Sequence, residues 1–249
     1  MWCLKIDKFK KPLHIKVSPE DLGKEVIVAG DPGRVKILSE LLREPKLVNE
    51  YRGYLIYTGY FRDKKISIAT HGIGGASAAI LFEELAMLGV RTIVRLGSTG
   101  SVREDIDIGD IIVVEGSSYF IGGTIGMYTG ASIAYAASPD LELTYVLYNE
   151  LKKKFGRVFR GIVFSSDSFY AENKEFINRV RELNILSLEM ECATLNTVGR
   201  LRNIKTACVL VVSDNLIKGS TVLDQLQKLS ERFKEVAEVI LEVLYSYSN

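Results

Sequence analysis

The stretch Thr92-Ile93-Val94-Arg95-Leu96-Gly97-Ser98-Thr99-Gly100 constrains the fold more than any other. A continuous apolar run bounded by glycine reads as a strand buried on both faces, as in α/β sheets with helices on either side. It runs into a glycine-rich, hydroxyl-bearing loop, and open α/β sheets carry their ligand sites at such strand ends. Arg95 is the anomaly. A buried guanidinium needs a partner, so an anion such as phosphate, held by Arg95, Ser98 and backbone N–H groups, is one reading. An arginine that reaches solvent beside an ordinary turn is the other, and this stretch alone does not choose between them.

The chain has 249 residues, enough for one α/β domain with a sizeable core, and a single domain over 1–249 is expected. Lys and Arg number 32 against 31 Asp and Glu, so no global field draws it to nucleic acid or a membrane surface. No apolar run approaches spanning length, and Lys5, Asp7, Lys8 and Lys10 interrupt any signal core, so a cytoplasmic protein is expected. Cys3, Cys192 and Cys208 show no Cys-x-x-Cys spacing, and the histidines are only His14 and His71, which argues against a disulfide framework and a transition-metal centre.

Strand-loop junctions recur along the chain. Glu25-Val26-Ile27-Val28-Ala29 runs into Gly30-Asp31-Pro32-Gly33-Arg34 and a helix beginning near Pro32, whose first amides could hold an anion beside Arg34. Residues 47–52 bridge to a meander over 54–58 and 65–69, whose second strand ends in His71-Gly72-Ile73-Gly74-Gly75 before a helix over 76–88. A dinucleotide fingerprint fails there, because the third glycine is misplaced and the next strand carries Arg95 instead of a ribose-binding acid. A strand over 110–115 precedes an irregular segment, 116–130. Ser138-Pro139-Asp140 opens a helix reaching about residue 154, with Ser138 as cap.

The strand over 158–164 leads to Phe169 and Tyr170, which could stack on a flat ligand or pack into core. The strand over 185–188 leads to Glu189-Met190-Glu191 and a helix over 192–201. Glu191 could accept a sugar diol, or the acids could serve the helix dipole. The strand over 206–212 is the most apolar and therefore central. It ends at Ser213-Asp214-Asn215, where desolvation could raise the Asp214 pKa and make it a general acid, or Asp214 could cap a helix. The last helix, 221 to about 245, covers the sheet.

The ordered set of His14-Ile15, Gly30 to Arg34, Tyr51-Arg52-Gly53, His71 to Gly74, Arg95 to Gly100, 164–170, Glu189-Met190-Glu191 and Val212-Ser213-Asp214 resembles the nucleoside phosphorylase family of the hexameric purine nucleoside and uridine phosphorylase type. The resemblance implies a mixed, twisted, partly barrel-like central sheet flanked by helices, inorganic phosphate as co-substrate and no cofactor. It implies phosphate held by Gly30, Arg34, Arg52, Arg95 and Ser98, and ribose held by His14, Met190 and Glu191. Thr99, Gly100, Phe169, Leu188 and Ser213 would surround the base, and Asp214 would protonate purine N7. Arg52 and His14 would cross into a neighbour's site within a homohexamer built as a trimer of dimers.

Substrate choice rests on departures from the family pattern. Uridine phosphorylases of this type usually carry a Gln-x-Arg pair after the Phe-Tyr element, where this chain has Ala171-Glu172-Asn173-Lys174, so purine is favoured. The bacterial purine enzymes place an arginine on the loop entering the last helix, where this chain has Gln225, Leu226, Gln227 and Lys228, leaving Lys218 or Lys228 as the candidate support for Asp214. The run Ser213 to Gly219 looks most like archaeal 5′-methylthioadenosine phosphorylases. The alternatives are a uridine phosphorylase, a hydrolytic methylthioadenosine or S-adenosylhomocysteine nucleosidase, and a nucleoside-binding protein without catalysis.

Overall fold

The apolar runs become strands whose side chains alternate between two cores. The computed structural model describes residues 11–130, 132–220 and 226–247. In chain order the elements are β1 (Glu25–Ala29), α1 (Pro32–Ser39), β2 (Arg43–Asn49), β3 (Ile56–Phe61), β4 (Lys64–Thr70), α2 (Gly75–Met87), β5 (Thr92–Ser101) and β6 (Ile111–Tyr119). There follow α3 (Gly123–Thr129), α4 (Leu141–Phe155), β7 (Val158–Ser165), α5 (Lys174–Glu182), β8 (Ser187–Glu189), α6 (Cys192–Arg202), β9 (Lys205–Asn215) and α7 (Leu226–Ser246).

In β9, Ala207, Val209 and Val211 face one core and Cys208, Leu210 and Val212 the other, as the two-residue period of a strand requires. The first core takes Val35 and Leu38 from α1, Leu143 and Leu147 from α4, and Phe233 and Val236 from α7. The second takes Leu81 and Phe82 from α2 and Leu195 and Val198 from α6. Each such fully buried side chain contributes about 1.5–3 kcal/mol. The sheet is thus covered on both sides, which is why its strands read as unbroken apolar runs.

The nine strands lie in the order β2-β3-β4-β1-β5-β8-β7-β6-β9, and β9 returns to pair with β5. That extra pairing closes β5, β8, β7, β6 and β9 into a ring, while β1 to β4 extend from β5 as an open sheet. Both parallel and antiparallel pairs occur: β1 is parallel to β4 and β5, whereas β5 is antiparallel to β8 and β6 to β9. The expected mixed, partly barrel-like sheet is what the chain forms.

Several boundaries differ from expectation. Gly97 to Ser101 is not a loop but the second half of β5, because β9 pairs with it from Thr92 to Ser101. Residues 47–49, expected within a bridge, instead close β2, which pairs antiparallel with β3. The segment 116–130 is not irregular: β6 continues to Tyr119 alongside β7, and α3 follows. Asp140, not Ser138, caps α4, accepting from the Leu143 N–H at 2.9 Å. The expected start of the last helix at Thr221, and the positions of Cys3 and Gln225, lie outside the described residues.

Candidate active site

The split in the sheet makes the site. β1 pairs with β5 as far as Arg95, and β8 joins β5 from Gly100, so the cavity opens where the open sheet parts from the ring. Its volume is about 900 Å³. Gly30, Arg34, Arg95, Ser98, Thr99, Gly100, Phe169, Leu188, Met190, Glu191, Ser213 and Asp214 all line it. A groove of about 1000 Å³ beside α7 is larger, but it is open and lined by surface ion pairs such as Lys154–Glu238 and Arg62–Glu242.

Arg95 stands in register with Cys208, and strand alternation turns it toward the face where α6 begins. There its Nη2 donates to Glu191 Oε2, and Glu189 Oε2 lies 3.4 Å away. A Cβ on Gly97 would collide with this guanidinium, so glycine two residues along the strand gives the side chain its path. Burial pushes the Arg95 pKa down, but Cys192, Glu191 and Glu189 around it outweigh burial and hold it above the ordinary value. Burial pushes Glu191 up, yet the Arg95 charge, assisted by His71 and the Gly74 N–H at 2.6 Å, leaves it below the usual carboxylate range.

Arg34, from the first turn of α1, stacks on the Phe233 ring at 3.7 Å, and burial lowers its pKa to about 10, with Asp31 opposing and Arg95 adding. Two guanidiniums facing one cavity favour an anion between them. Arg95 Nε and the buried Thr70 Oγ1, another lining residue, have no hydrogen-bond partner among the described residues. Buried polar atoms ordinarily find partners, and an oxyanion would supply acceptors here.

Asp214 is half-buried, and its Oδ1 accepts from Ser213 Oγ at 2.7 Å. Ser213 is the extra residue of a bulge: Thr99 pairs with Val212 and Gly100 with Asp214, which turns Asp214 toward Gly100. A Cβ on Gly100 would stand 2.7 Å from Asp214 Oδ2. Asp214 therefore belongs to the strand and caps no helix. Lys218 does not support it, since its Nζ pairs with Asp107, and Lys228 is exposed on α7. Phe169 is 59% and Tyr170 98% exposed, so neither packs into core.

His14 and Arg52 do not line this chain's cavity. The His14 ring Nδ1 lies 2.7 Å from Glu84 Oε1, and the Glu84 carboxylate also takes the N–H groups of Leu13, His14 and Ile15. Burial pushes Glu84 up, but these donors outweigh it and hold it below the usual range. Arg52 is exposed, with φ of 56°. Sequence reasoning missed Glu84, Thr70 and the inward position of Glu172; an acid within the apolar run Ala79-Ile80-Leu81-Phe82-Glu83-Glu84-Leu85 was the signal for the first.

With this geometry in place, comparison decides the family. The sequence profile of the phosphorylase superfamily matches residues 24–244. The chain belongs to the phosphorylase superfamily. Guanosine phosphorylase of Halorubrum lacusprofundi is 31% identical over 235 residues, covering 94% of this chain and 96% of that one. A DeoD-type purine nucleoside phosphorylase of Buchnera aphidicola is 32% identical over 212 residues, covering 84% and 89%. The crystal structure of uridine phosphorylase from Vibrio fischeri ES114 superposes with a TM-score of 0.86 at 30% identity, covering 95% and 98%. As a member of this superfamily the protein is an enzyme, a pentosyltransferase with nucleoside phosphorylase activity. Among its described residues no helix is long and apolar enough to cross a membrane.

Proposed function

We propose that this phosphorylase acts on purine nucleosides, drawn from inosine, guanosine, adenosine and 5′-methylthioadenosine, releasing the base and (methylthio)ribose 1-phosphate. The observation that carries the reading is one cavity lined by Arg34, Arg95 and Ser98, by Met190 and Glu191, and by Asp214. Phosphate binds Gly30, Arg34, Arg95 and Ser98. Its oxygen attacks C1′ as the glycosidic bond breaks, the bonding electrons leave with the base, and C1′ passes through oxocarbenium-like character. Asp214 gives its proton to purine N7, an assistance of about 10²–10⁴-fold. The arginines align the nucleophile, an orientation effect. Glu191 and Met190 hold the ribose, and Thr99, Gly100, Phe169, Leu188 and Ser213 surround the base.

Purine is favoured over uridine because a pyrimidine offers no N7 to Asp214 and the Gln-x-Arg pair is absent after Tyr170. The same reading makes the working form a homohexamer, a trimer of dimers, in which His14 and Arg52 complete a neighbour's site. Support comes from their position outside this chain's cavity and from the left-handed backbone at Arg52, a conformation that costs a non-glycine residue about 1–3 kcal/mol and clusters at functional sites. It also takes the protein to work in the cytoplasm, in keeping with the free buried thiols of Cys192 and Cys208. Phosphate is a co-substrate, and no cofactor takes part.

The test is base release from 5′-methylthioadenosine, inosine, guanosine, adenosine and uridine, each with and without phosphate. Phosphate-dependent release from purines is expected. Release without phosphate would make it a nucleosidase, and release from uridine alone would remove the role given to Asp214.

A further inference from the structure

The carboxylates lining the cavity are not equally occupied. Asp31 caps α1 through the Gly33 N–H at 2.8 Å, and Glu189 accepts from the N–H groups of Glu191 and Cys192, each at 2.8 Å. Glu191 is taken by Arg95 and Gly74, and Asp214 by Ser213. Glu172 differs. It lines the same cavity, half-buried, and its carboxylate takes no hydrogen bond among the described residues, with Ser166 and Asp214 near enough to act on its charge.

Local structure explains why Glu172 turns inward while its neighbours do not. Phe169–Ala171 forms a single 3-10 turn, closed by the Glu172 N–H on the Phe169 carbonyl at 3.4 Å. The next residue, Asn173, spends its side chain as the cap of α5, accepting from the Phe176 N–H at 2.9 Å. Lys174 begins that helix and is exposed. After the aromatic pair, Glu172 is therefore the polar side chain left for the cavity. Ser166, buried and held by its N–H on the Glu189 carbonyl at 2.7 Å, receives the Ser168 N–H at 3.4 Å.

A carboxylate that faces a base binds only N–H donors, since it has lone pairs and no proton of its own. Guanine offers two adjacent donors on one edge, N1–H and the N2 amino group, which match the two carboxylate oxygens as a guanidinium does. Hypoxanthine keeps N1–H alone. Adenine turns an N1 lone pair to the same place, and uracil flanks its single N–H with two carbonyl oxygens. Building on the purine reading above, we propose that Glu172 reads the N1–H and 2-amino edge of the base, making this enzyme selective for guanosine over inosine and over adenosine. Burial pushes the Glu172 carboxyl above its ordinary range, with Ser166 opposing and Asp214 adding. Two ligand N–H donors would stabilise the charged form.

The experiment measures phosphate-dependent kcat/KM for guanosine, inosine and adenosine in the wild type and in Glu172→Gln and Glu172→Ala, together with calorimetric binding of free guanine and adenine. The expected order is guanosine, inosine, adenosine. Each variant should lower the guanosine-to-adenosine ratio about 10- to 100-fold, the effect of hydrogen bonds to a charged group, by losing guanosine turnover while adenosine holds or rises. Equal loss for all three nucleosides, or an unchanged ratio, overturns the proposal. Binding separates it from the purine reading: if phosphorolysis fails yet guanine binds more tightly than adenine and Glu172→Gln removes that preference, the assignment of Glu172 stands and the purine phosphorolysis reading falls.

Discussion

Arg95 Nη2 meets Glu191 Oε2 inside the cavity, with side chains 4% and 6% exposed, and this contact joins the arginine of β5 to the strand exit that carries Met190. The pair is asymmetric, because Glu189 also stands 3.4 Å from the same guanidinium nitrogen. Arg95→Met strands two buried carboxylates beside each other, and breaking a buried pair in this way costs about 3–5 kcal/mol. Glu191→Gln leaves Arg95 with Glu189 and should cost less, about 1–3 kcal/mol. Urea unfolding of the two variants checks the order. Steady-state kinetics should show Arg95→Met raising the KM for phosphate at least tenfold.

Asp214→Asn keeps the shape of the side chain and removes the proton it would give. Purine turnover should fall about 10²–10⁴-fold with little change in stability, because Asp214 is half-buried and its partner is a single serine hydroxyl. A nucleoside whose base leaves without that proton discriminates donation from positioning. With 7-methylguanosine, already alkylated at N7, the variant should lose less than tenfold. An equal loss on both substrates would assign Asp214 to positioning alone.

What could be read from the residues, and what could not, follows from the physics of each element. Arg95 stood out because a charge in an apolar run needs a partner, but its partner Glu191 is 96 residues away, and that distance in sequence closes only through the register of the folded sheet. Gly97-Ser98-Thr99-Gly100 has turn composition, yet pairing with β9 holds it as strand, so tertiary contact overrides local preference. β2 was invisible because its residues from Arg43 to Leu47 are exposed and carry no alternation. Glu172 carried no local signal either, since its inward turn depends on Asn173 being taken as a cap.

Gly97→Ala tests whether the path of Arg95 matters. The added methyl group meets the guanidinium, which must leave its place between Glu191 and Glu189. Overpacking of this kind costs about 1–3 kcal/mol. The larger effect should be on phosphate: its KM should rise toward that of Arg95→Met. A fall in stability with phosphate KM unchanged would show that the arginine finds an equivalent position.

His71 sets part of the acid limit of stability. It is fully buried at the end of β4, its Nδ1 lies 2.7 Å from the Gly72 carbonyl, and its ring meets Phe82 edge-on at 5.7 Å. Burial pushes its pKa down from 6.5 to about 4, with Glu191 opposing and Arg95 and Arg34 adding to the fall. Between these values the unfolded chain takes up a proton that the folded chain refuses. Stability is therefore fully present above pH 6.5 and drains away as pH falls toward 4, by about 3 kcal/mol from this residue. His71→Leu removes the titrating group. Its unfolding free energy, measured in urea from pH 4 to pH 7, should fall less steeply with acid than that of the wild type, whatever its absolute value at pH 7. Parallel curves would show that the buried imidazole takes its proton within the folded state.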